Sequence, residues 1–308
     1  MGDESITYAT REMIEATIKN IHTRYYELER RIGDLLTIYK QGNYLNIFDY
    51  TPDEMDFQGK IPVWICWWQG FDQAPDVVKL CRANLYDVFD LSEFQIVEIT
   101  FDNLKDYIDF PDWIWEKYNS GIITKTQLSD LLRCGLLYYY GGLWMDATYY
   151  LTEPLSAEML KEKELYTLHL DEFEGIHISQ GRWTMNFLYT KKGHLFPQFV
   201  LNAFYYYYAA YNELYDYFMV DYFARMLYNY VDRIREEIDS LLPEQPKCFL
   251  LQAVLNEPYP NEDFEKAKKT TSIYKLNYYE HRNLKFYVIG RSPADPGCSA
   301  SSSGRLRP

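Results

Sequence analysis

Apolar residues near the N-terminus recur at spacings of three and four, which places them on one face of an α-helix. The residues of this face are Ile14, Ile18, Ile21, Tyr25, Leu28, Ile32 and Leu35. The pattern predicts one or two amphipathic helices over residues 5–40. Gly42 and the turn-forming segment Thr51-Pro52-Asp53 mark the end of this part of the chain.

From about residue 60 the pattern changes to short apolar runs that alternate with helical segments. Residues 61–68 are almost entirely apolar, which is typical of a strand buried on both faces, and a helix is expected to open at Pro75. Further strands are predicted at 94–99, 143–145, 164–170 and 183–190, and further helices at 111–118 and 126–140. This alternation predicts an α/β fold with a mainly parallel sheet.

The C-terminal third gives a weaker pattern. Residues 197–238 predict one Tyr-rich helix, and residues 247–257 and 272–289 fit either helix or strand. The last residues are rich in Ser, Pro, Gly and Arg, which is typical of a tail that is disordered or not native to the protein. We therefore divide the chain into an N-terminal helical segment (1–58), a central domain (59–240), a C-terminal part that completes this domain (241–289) and a tail (290–308).

Charge and aromatic content narrow the range of partners. The formal net charge of the 308 residues is −14, and no long run of Lys or Arg is present. This balance argues against a nucleic acid polymer as partner, because phosphate contacts require clustered cations. Aromatic residues make up 18% of the chain, including 31 Tyr. Their rings either stack on sugars and bases or fill the core, and composition alone is compatible with both.

The sequence pattern also favours a particular cellular location of the protein. No apolar segment reaches the roughly 18 residues that a membrane helix requires. Residues 1–20 carry mixed charges instead of a secretory signal, and the five Cys show no metal-site spacing, which favours reduced thiols. We expect a soluble cytoplasmic protein, with peripheral contact at the inner membrane surface left open for a lipid-linked acceptor.

Three charged residues stand out as candidates for chemistry. Asp130 and Arg133 lie three apart on a predicted helix and therefore share a face. Asp146 follows the apolar strand 143–145, and ligands of α/β sheets collect at the carboxyl ends of strands. A carboxylate there is well placed to hold a divalent cation or a sugar hydroxyl. The alternative for Asp130 and Arg133 is a surface ion pair of little energetic consequence.

These residues also carry a resemblance to a known family. The block Ser129-Asp130-x-x-Arg133, followed by Tyr140-Gly141-Gly142-x-x-x-Asp146, resembles the core of the capsular polysaccharide synthesis glycosyltransferases. These are related to glycosyltransferase family 32 and have the GT-A fold. The resemblance covers roughly residues 60–225, with weaker likeness at 273–276. It implies a GT-A-like, Rossmann-like nucleotide-sugar-binding domain with added N-terminal and C-terminal helices.

The resemblance also implies roles for individual residues. Asp130, Arg133 and Asp146 would be the catalytic residues, with Asp130 and Arg133 on the hydroxyls of the donor sugar. Asn186 and Asp221 would contact the acceptor, although a solvated helix face is an alternative for Asp221. The residues of the nucleotide-sugar site would be Trp64, Trp67, Trp68, Gln69, Asp130, Arg133, Gly142 and Asp146.

A divalent cation, Mn²⁺ or Mg²⁺, is the cofactor that the resemblance implies. The family binds it through an Asp-x-Asp motif, but this chain has Asp146-Ala147-Thr148, so the second acid is replaced by a poorer ligand. A single carboxylate can suffice for Mg²⁺, which keeps several waters. The predicted metal ligands are therefore Asp146, Thr148 and His281, with a surface histidine as the alternative for His281.

Three functions remain in view. The first is a retaining bacterial glycosyltransferase in capsular or other surface polysaccharide synthesis. It would move a sugar from a nucleotide donor to a glycan or lipid-linked glycan, and UDP is the expected nucleotide. The second is a non-catalytic nucleotide-sugar or glycan-binding protein with a degenerate Asp-x-Asp motif. The third is a glycoside hydrolase with two carboxylates, against which the Asp130 to Asp146 block argues.

Overall fold

A computed structural model describes residues 3–44, 46–47, 51–170, 177–241, 247–255, 257 and 261–278, with side chains from residue 12 onward. The predicted ligand His281 and the predicted tail 290–308 lie outside the described residues. Among those residues, no helix is both long enough and apolar enough to cross a membrane.

A five-stranded sheet forms the centre of the structure. Its strands are β1 (Ile61–Cys66), β2 (Phe94–Ile99), β3 (Gly142–Met145), β5 (Leu165–Thr167) and β6 (Phe187–Thr190), in the order β2-β1-β3-β6-β5. β1 pairs in parallel with both β2 and β3, whereas β6 is antiparallel to β3 and β5. Four strands thus share one direction, which confirms the mixed α/β class and the mostly parallel sheet.

The position of β1 explains its sequence. β1 lies between β2 and β3, and Ile61, Val63, Trp64 and Ile65 are all buried. A strand covered on both faces must be apolar throughout instead of alternating, which is the pattern that identified it.

Helices cover this sheet and extend beyond it. Their bounds are α1 (Asp3–Arg31), α2 (Gly33–Lys40), α3 (Asp76–Val88), α4 (Asp112–Asn119), α5 (Lys125–Tyr139), α6 (Ala157–Lys161), α7 (Leu195–Ala210), α8 (Met219–Tyr230), α9 (Asp232–Asp239), α10 (Leu250–Val254) and α11 (Glu262–Ala267). Short 3-10 turns lie at Phe71–Gln73 and Leu104–Asp106. A separate antiparallel pair joins β4 (Tyr149–Leu151) to β7 (Ile273–Lys275).

The prediction of one helix over 197–238 is wrong, because the segment forms α7, α8 and α9. The break between α7 and α8 is held by tertiary contacts. Asp216 accepts a hydrogen bond from the Phe218 N–H at 2.8 Å and pairs with Arg24 of α1, while Glu213 pairs with Arg31. The periodicity of apolar residues in 197–238 does not reveal these contacts, because α1 lies far away in the sequence.

The strand predicted at 183–190 is shorter than expected. It begins at Phe187, because Thr184 turns back and donates its N–H to Thr167 Oγ1 at 3.0 Å. The weak C-terminal patterns also become specific, since 247–257 contains the short helix α10 and 272–289 contains the strand β7.

Many of the aromatic residues fill the core. Trp64, Trp144, Tyr207 and Tyr208 are among the largest fully buried side chains. The core-filling explanation therefore accounts for a substantial part of the aromatic content, independently of any ligand.

Two glycines make the turn from α5 into β3 possible. Gly141 and Gly142 have φ angles of +72° and +96°, a region that favours glycine. A Cβ on Gly142 would lie 2.4 Å from the Pro62 carbonyl oxygen in β1. Gly142 therefore permits both the turn and the close approach of β3 to β1.

We predict that Gly142→Ala destabilises the protein by about 2–5 kcal/mol, since the left-handed backbone costs roughly 1–2 kcal/mol and overpacking adds about 1–3 kcal/mol. Chemical denaturation measures this difference. Gly193→Ala is the matched control, because Gly193 has a φ of +76° but open space around its Cβ position. Gly193→Ala should lose only the backbone cost of roughly 1–2 kcal/mol. Equal losses in the two variants would contradict the packing role of Gly142.

Candidate functional site

The candidate site is a cavity of about 820 Å³ beyond the carboxyl end of β3. Side chains from α1, α5, α8 and β7 line it together with the segment that follows β3. Its principal polar lining residues are Asp130, Arg133, Asp146, Asn186, Asp221 and Lys275. The structure thus brings together the three predicted catalytic residues and both predicted acceptor residues.

Helix α5 supplies Asp130 and Arg133. The helix begins with a capping box, in which Thr124 and Gln127 exchange hydrogen bonds with each other's backbone N–H groups. Asp130 and Arg133 are only 3% and 6% exposed. The alternative of a surface ion pair is therefore wrong, because this pair is buried.

Arg133 connects the helix to the end of the sheet. Its Nη1 donates to Asp130 Oδ1 at 2.7 Å, and its Nη2 lies 3.5 Å from Asp146 Oδ1. The guanidinium carbon lies 5.1 Å from the centroid of the Trp144 ring. Its Nε is buried and has no hydrogen-bond partner among the described residues, so this N–H remains for a further acceptor.

Asp146 is held at the end of β3 by its neighbours. Its N–H donates to the Asn186 carbonyl at 3.0 Å, and Trp144 Nε1 donates to its Oδ1 at 3.1 Å. About a third of the side chain stays exposed, at 33%. The carboxylate is therefore oriented by the protein and still accessible from the cavity.

Both predicted acceptor residues line the same cavity. Asn186 accepts a hydrogen bond from the Tyr149 hydroxyl at 2.7 Å. Asp221 of α8 is half-buried and accepts one from Trp183 Nε1 at 3.0 Å. The alternative of a solvated helix face for Asp221 is thus wrong, since the carboxylate is bonded within the cavity.

Burial alters the acidity of two of these carboxyl groups. Desolvation raises the pKa of Asp130 to about 7, although the nearby Arg133 charge opposes the rise. Desolvation likewise raises the pKa of Asp221 to about 6, against the hydrogen bond from Trp183. Perturbed acids in a cavity are typical of functional sites.

The predicted nucleotide residues are more dispersed. Trp64 is completely buried and donates its indole N–H to the Gly141 carbonyl at 2.8 Å, so it offers no surface in this structure. Trp68 donates to Ser129 Oγ at 3.1 Å. Trp67 is half-buried, and Gln69 lines a neighbouring cavity of about 550 Å³. Nucleotide contact by these residues stays a prediction.

Asp146 and Thr148, the two predicted metal ligands among the described residues, do not form a donor set that fits a divalent cation. Thr148 is buried, and its hydroxyl accepts a hydrogen bond from Lys275 Nζ at 2.7 Å. Asp146 has Arg133 at 3.5 Å and Lys275 at 3.8 Å as cationic neighbours. Within the described part of the chain, no three His, Cys, Asp or Glu side chains are grouped to hold a metal.

Sequence reasoning missed Lys275 and Arg24, both of which line the cavity. Lys275 reaches the site because β7 pairs with β4, with Tyr149 opposite Lys275. The only signal for it was a weak likeness to the family at residues 273–276, which carried no role for the lysine. Arg24 gave no signal, because it lies on a helix that the pattern assigned to a separate segment.

Comparisons with known proteins identify the family of this chain. The family model described as "Capsular polysaccharide synthesis protein" matches residues 15–288. Neither the curated proteins nor the solved structures contain a significant match to this sequence. The matched range includes the second half of α1, α2 and the C-terminal strand β7, beyond the 60–225 range of the resemblance. The chain therefore belongs to the capsular polysaccharide synthesis protein family.

Proposed function

We propose that this protein is a glycosyltransferase with a GT-A-like domain, which transfers a sugar from a nucleotide-sugar donor to a glycan or lipid-linked glycan. The convergence of Asp130, Arg133 and Asp146 in one cavity carries the proposal. Arg133 lies within hydrogen-bonding or ionic distance of Asp130, three positions away in the chain, and of Asp146, 13 positions away. Membership of the capsular polysaccharide synthesis family supports polysaccharide assembly as the setting.

The site can supply the contacts that such a transfer needs. The Asp130 carboxylate and the Arg133 guanidinium are suited to bind donor-sugar hydroxyls, because a buried acceptor and a buried donor lie side by side. Asn186 and Asp221 face the same cavity and are suited to orient an acceptor hydroxyl. UDP is the nucleotide that we expect in the donor.

The proposed reaction retains the anomeric configuration. The acceptor hydroxyl oxygen bonds to the anomeric carbon on the face from which the nucleoside diphosphate leaves, and the bond from that carbon to the diphosphate oxygen breaks. The hydroxyl proton passes to the departing diphosphate. Asp146, Asp130 and Arg133 orient the donor for this step. No step is assigned to a divalent cation, because the described donor set does not fit one.

A second candidate is a non-catalytic nucleotide-sugar or glycan-binding protein. The observation that favours it is Thr148, which replaces the second acid of the Asp-x-Asp motif and is bonded to Lys275. Binding without turnover is the property that separates this candidate from the transferase.

We expect the purified protein to release free nucleotide from one member of a panel of UDP- and GDP-sugars. Asp146→Asn should lower the rate by about a hundredfold or more, which is a typical loss for an oriented group at a reacting centre. Asp232→Asn is the matched control, because that carboxylate is 79% exposed and lies on α9 outside the cavity lining. Its rate should equal that of the native chain.

Tight binding of a nucleotide sugar without release, even with capsular oligosaccharides as acceptors, would favour the binding protein. No binding of any donor would contradict both candidates. A glycoside hydrolase would instead cleave oligosaccharides without any requirement for a nucleotide.

The proposed acceptor role of Asp221 has a pH signature in stability. Its pKa rises from the ordinary value of 3.8 to about 6 on folding, so the native state binds the extra proton between these values. The free energy of unfolding should therefore fall as pH rises from 3.8 to about 6, and this penalty then stays constant. Asp221→Asn should remove that part of the slope, as measured by denaturation at several pH values.

Asp221→Asn keeps a carbonyl oxygen for the Trp183 indole, so the fold should persist. We expect the variant to lose transfer to the acceptor while keeping donor binding. An unchanged pH slope together with unchanged transfer would contradict both the perturbed acid and its proposed role.

A further inference from the structure

Lys275 occupies a fixed position beside the incomplete Asp-x-Asp motif. The residue lies on β7 opposite Tyr149, and its Nζ lies 5.9 Å from the centroid of the Tyr149 ring. Its side chain is only 15% exposed. The ammonium is thus inside the cavity wall and is not a solvated surface charge.

The hydrogen bonds of this ammonium can be counted. Nζ donates to Thr148 Oγ1 at 2.7 Å and to the Leu276 carbonyl at 3.0 Å. A lysine ammonium has three N–H donors, so within the described residues one donor has no hydrogen-bond acceptor. Asp146 Oδ2, at 3.8 Å, is an ionic neighbour but too distant for a hydrogen bond.

This arrangement places a positive charge where the Asp-x-Asp motif would place a metal. The hydroxyl that stands at the position of the second acid is bonded to the ammonium instead of facing the cavity as a ligand. A divalent cation bound by Asp146 and Thr148 would also meet the charges of Lys275 and Arg133 at close range. The same two cations would attract the oxygens of a diphosphate.

We propose that Lys275 binds the diphosphate of the nucleotide donor and takes the place of a divalent metal ion in this protein. The inference rests on the proposed function and deepens it, because it assigns a residue and a charge to the leaving-group end of the cavity. The third N–H of Lys275 donates to a diphosphate oxygen, and Thr148 holds the ammonium in place.

The test measures binding of UDP, GDP, uridine and guanosine by calorimetry, in chelator and in Mn²⁺. The native chain should bind one of the two diphosphates in chelator, with an affinity within about twofold of that in Mn²⁺. Lys275→Met keeps the length of the side chain and removes the charge. The Lys275→Met variant should weaken diphosphate binding by about tenfold or more and leave the affinity for the nucleoside unchanged.

Lys268→Met is the matched control, because this lysine lies in the same part of the chain, is 44% exposed and pairs with Glu265. Its diphosphate affinity should be native. Lys275→Arg keeps a cation at the site and should retain most of the affinity, and thermal unfolding establishes that each variant is folded.

The outcomes separate this inference from the proposed function. Diphosphate binding that is lost in chelator, or that Lys275→Met leaves unchanged, overturns the role of Lys275 while the glycosyltransferase proposal stands. Absence of diphosphate binding in both chelator and Mn²⁺ overturns the glycosyltransferase proposal and the inference with it.

A double variant tests whether a metal site can be restored in place of the Lys275 ammonium. Thr148→Asp with Lys275→Met restores two acids and removes the competing ammonium. We expect it to bind Mn²⁺ alone at least about tenfold more tightly than the native chain does. Equal Mn²⁺ affinity of the two proteins would contradict the idea that Lys275 stands in place of a metal.

Discussion

The buried guanidinium of Arg133 is the interaction on which the site depends. It joins Asp130, one helical turn away on α5, to Asp146 at the end of β3, and it lies beside the Trp144 ring. Burying one unpaired charge is costly, whereas a buried pair with additional hydrogen bonds is tolerated. Each carboxylate is therefore needed to keep the arginine in the cavity wall, and the arginine in turn fixes the distance between the helix and the strand.

This bridge imposes a geometry on the chain around it. α5 must end and β3 must begin within a few residues, and the positive φ angles of Gly141 and Gly142 allow that turn. β3 must also lie close against β1, which only a residue without a Cβ permits at Gly142. Gly142, which the resemblance linked to a nucleotide sugar, thus has a direct structural role together with Gly141, because the two glycines position Asp146 beside Arg133.

The sequence predicted what local rules govern and missed what distant contacts decide. The apolar run of β1 and the residue spacing within the block at 130–146 gave the central elements and the site, because each signal lies within a few residues. The break between α7 and α8 depends on Arg24 and Arg31 of α1, and Lys275 reaches the cavity only through the pairing of β7 with β4. Neither contact leaves a periodic trace in the sequence.

The charged side chains that line the cavity would orient a charged ligand within it. In the described part of the chain, the Arg, Lys and Asp side chains that line it are Arg24, Arg133, Lys275, Asp130, Asp146, Asp216 and Asp221. Arg24 pairs with Asp216, Arg133 pairs with Asp130 and Asp146, and Lys275 is a second cationic neighbour of Asp146. Among these described side chains, Asp221 has no cationic hydrogen-bond partner and accepts its bond from Trp183. An anionic diphosphate would be repelled by Asp221 and attracted by Lys275. A neutral hydroxyl, in contrast, can donate to Asp221 without any charge penalty. For the proposed transfer, the electrostatics would therefore favour a donor oriented with its diphosphate toward β7 and an acceptor that enters beside α8.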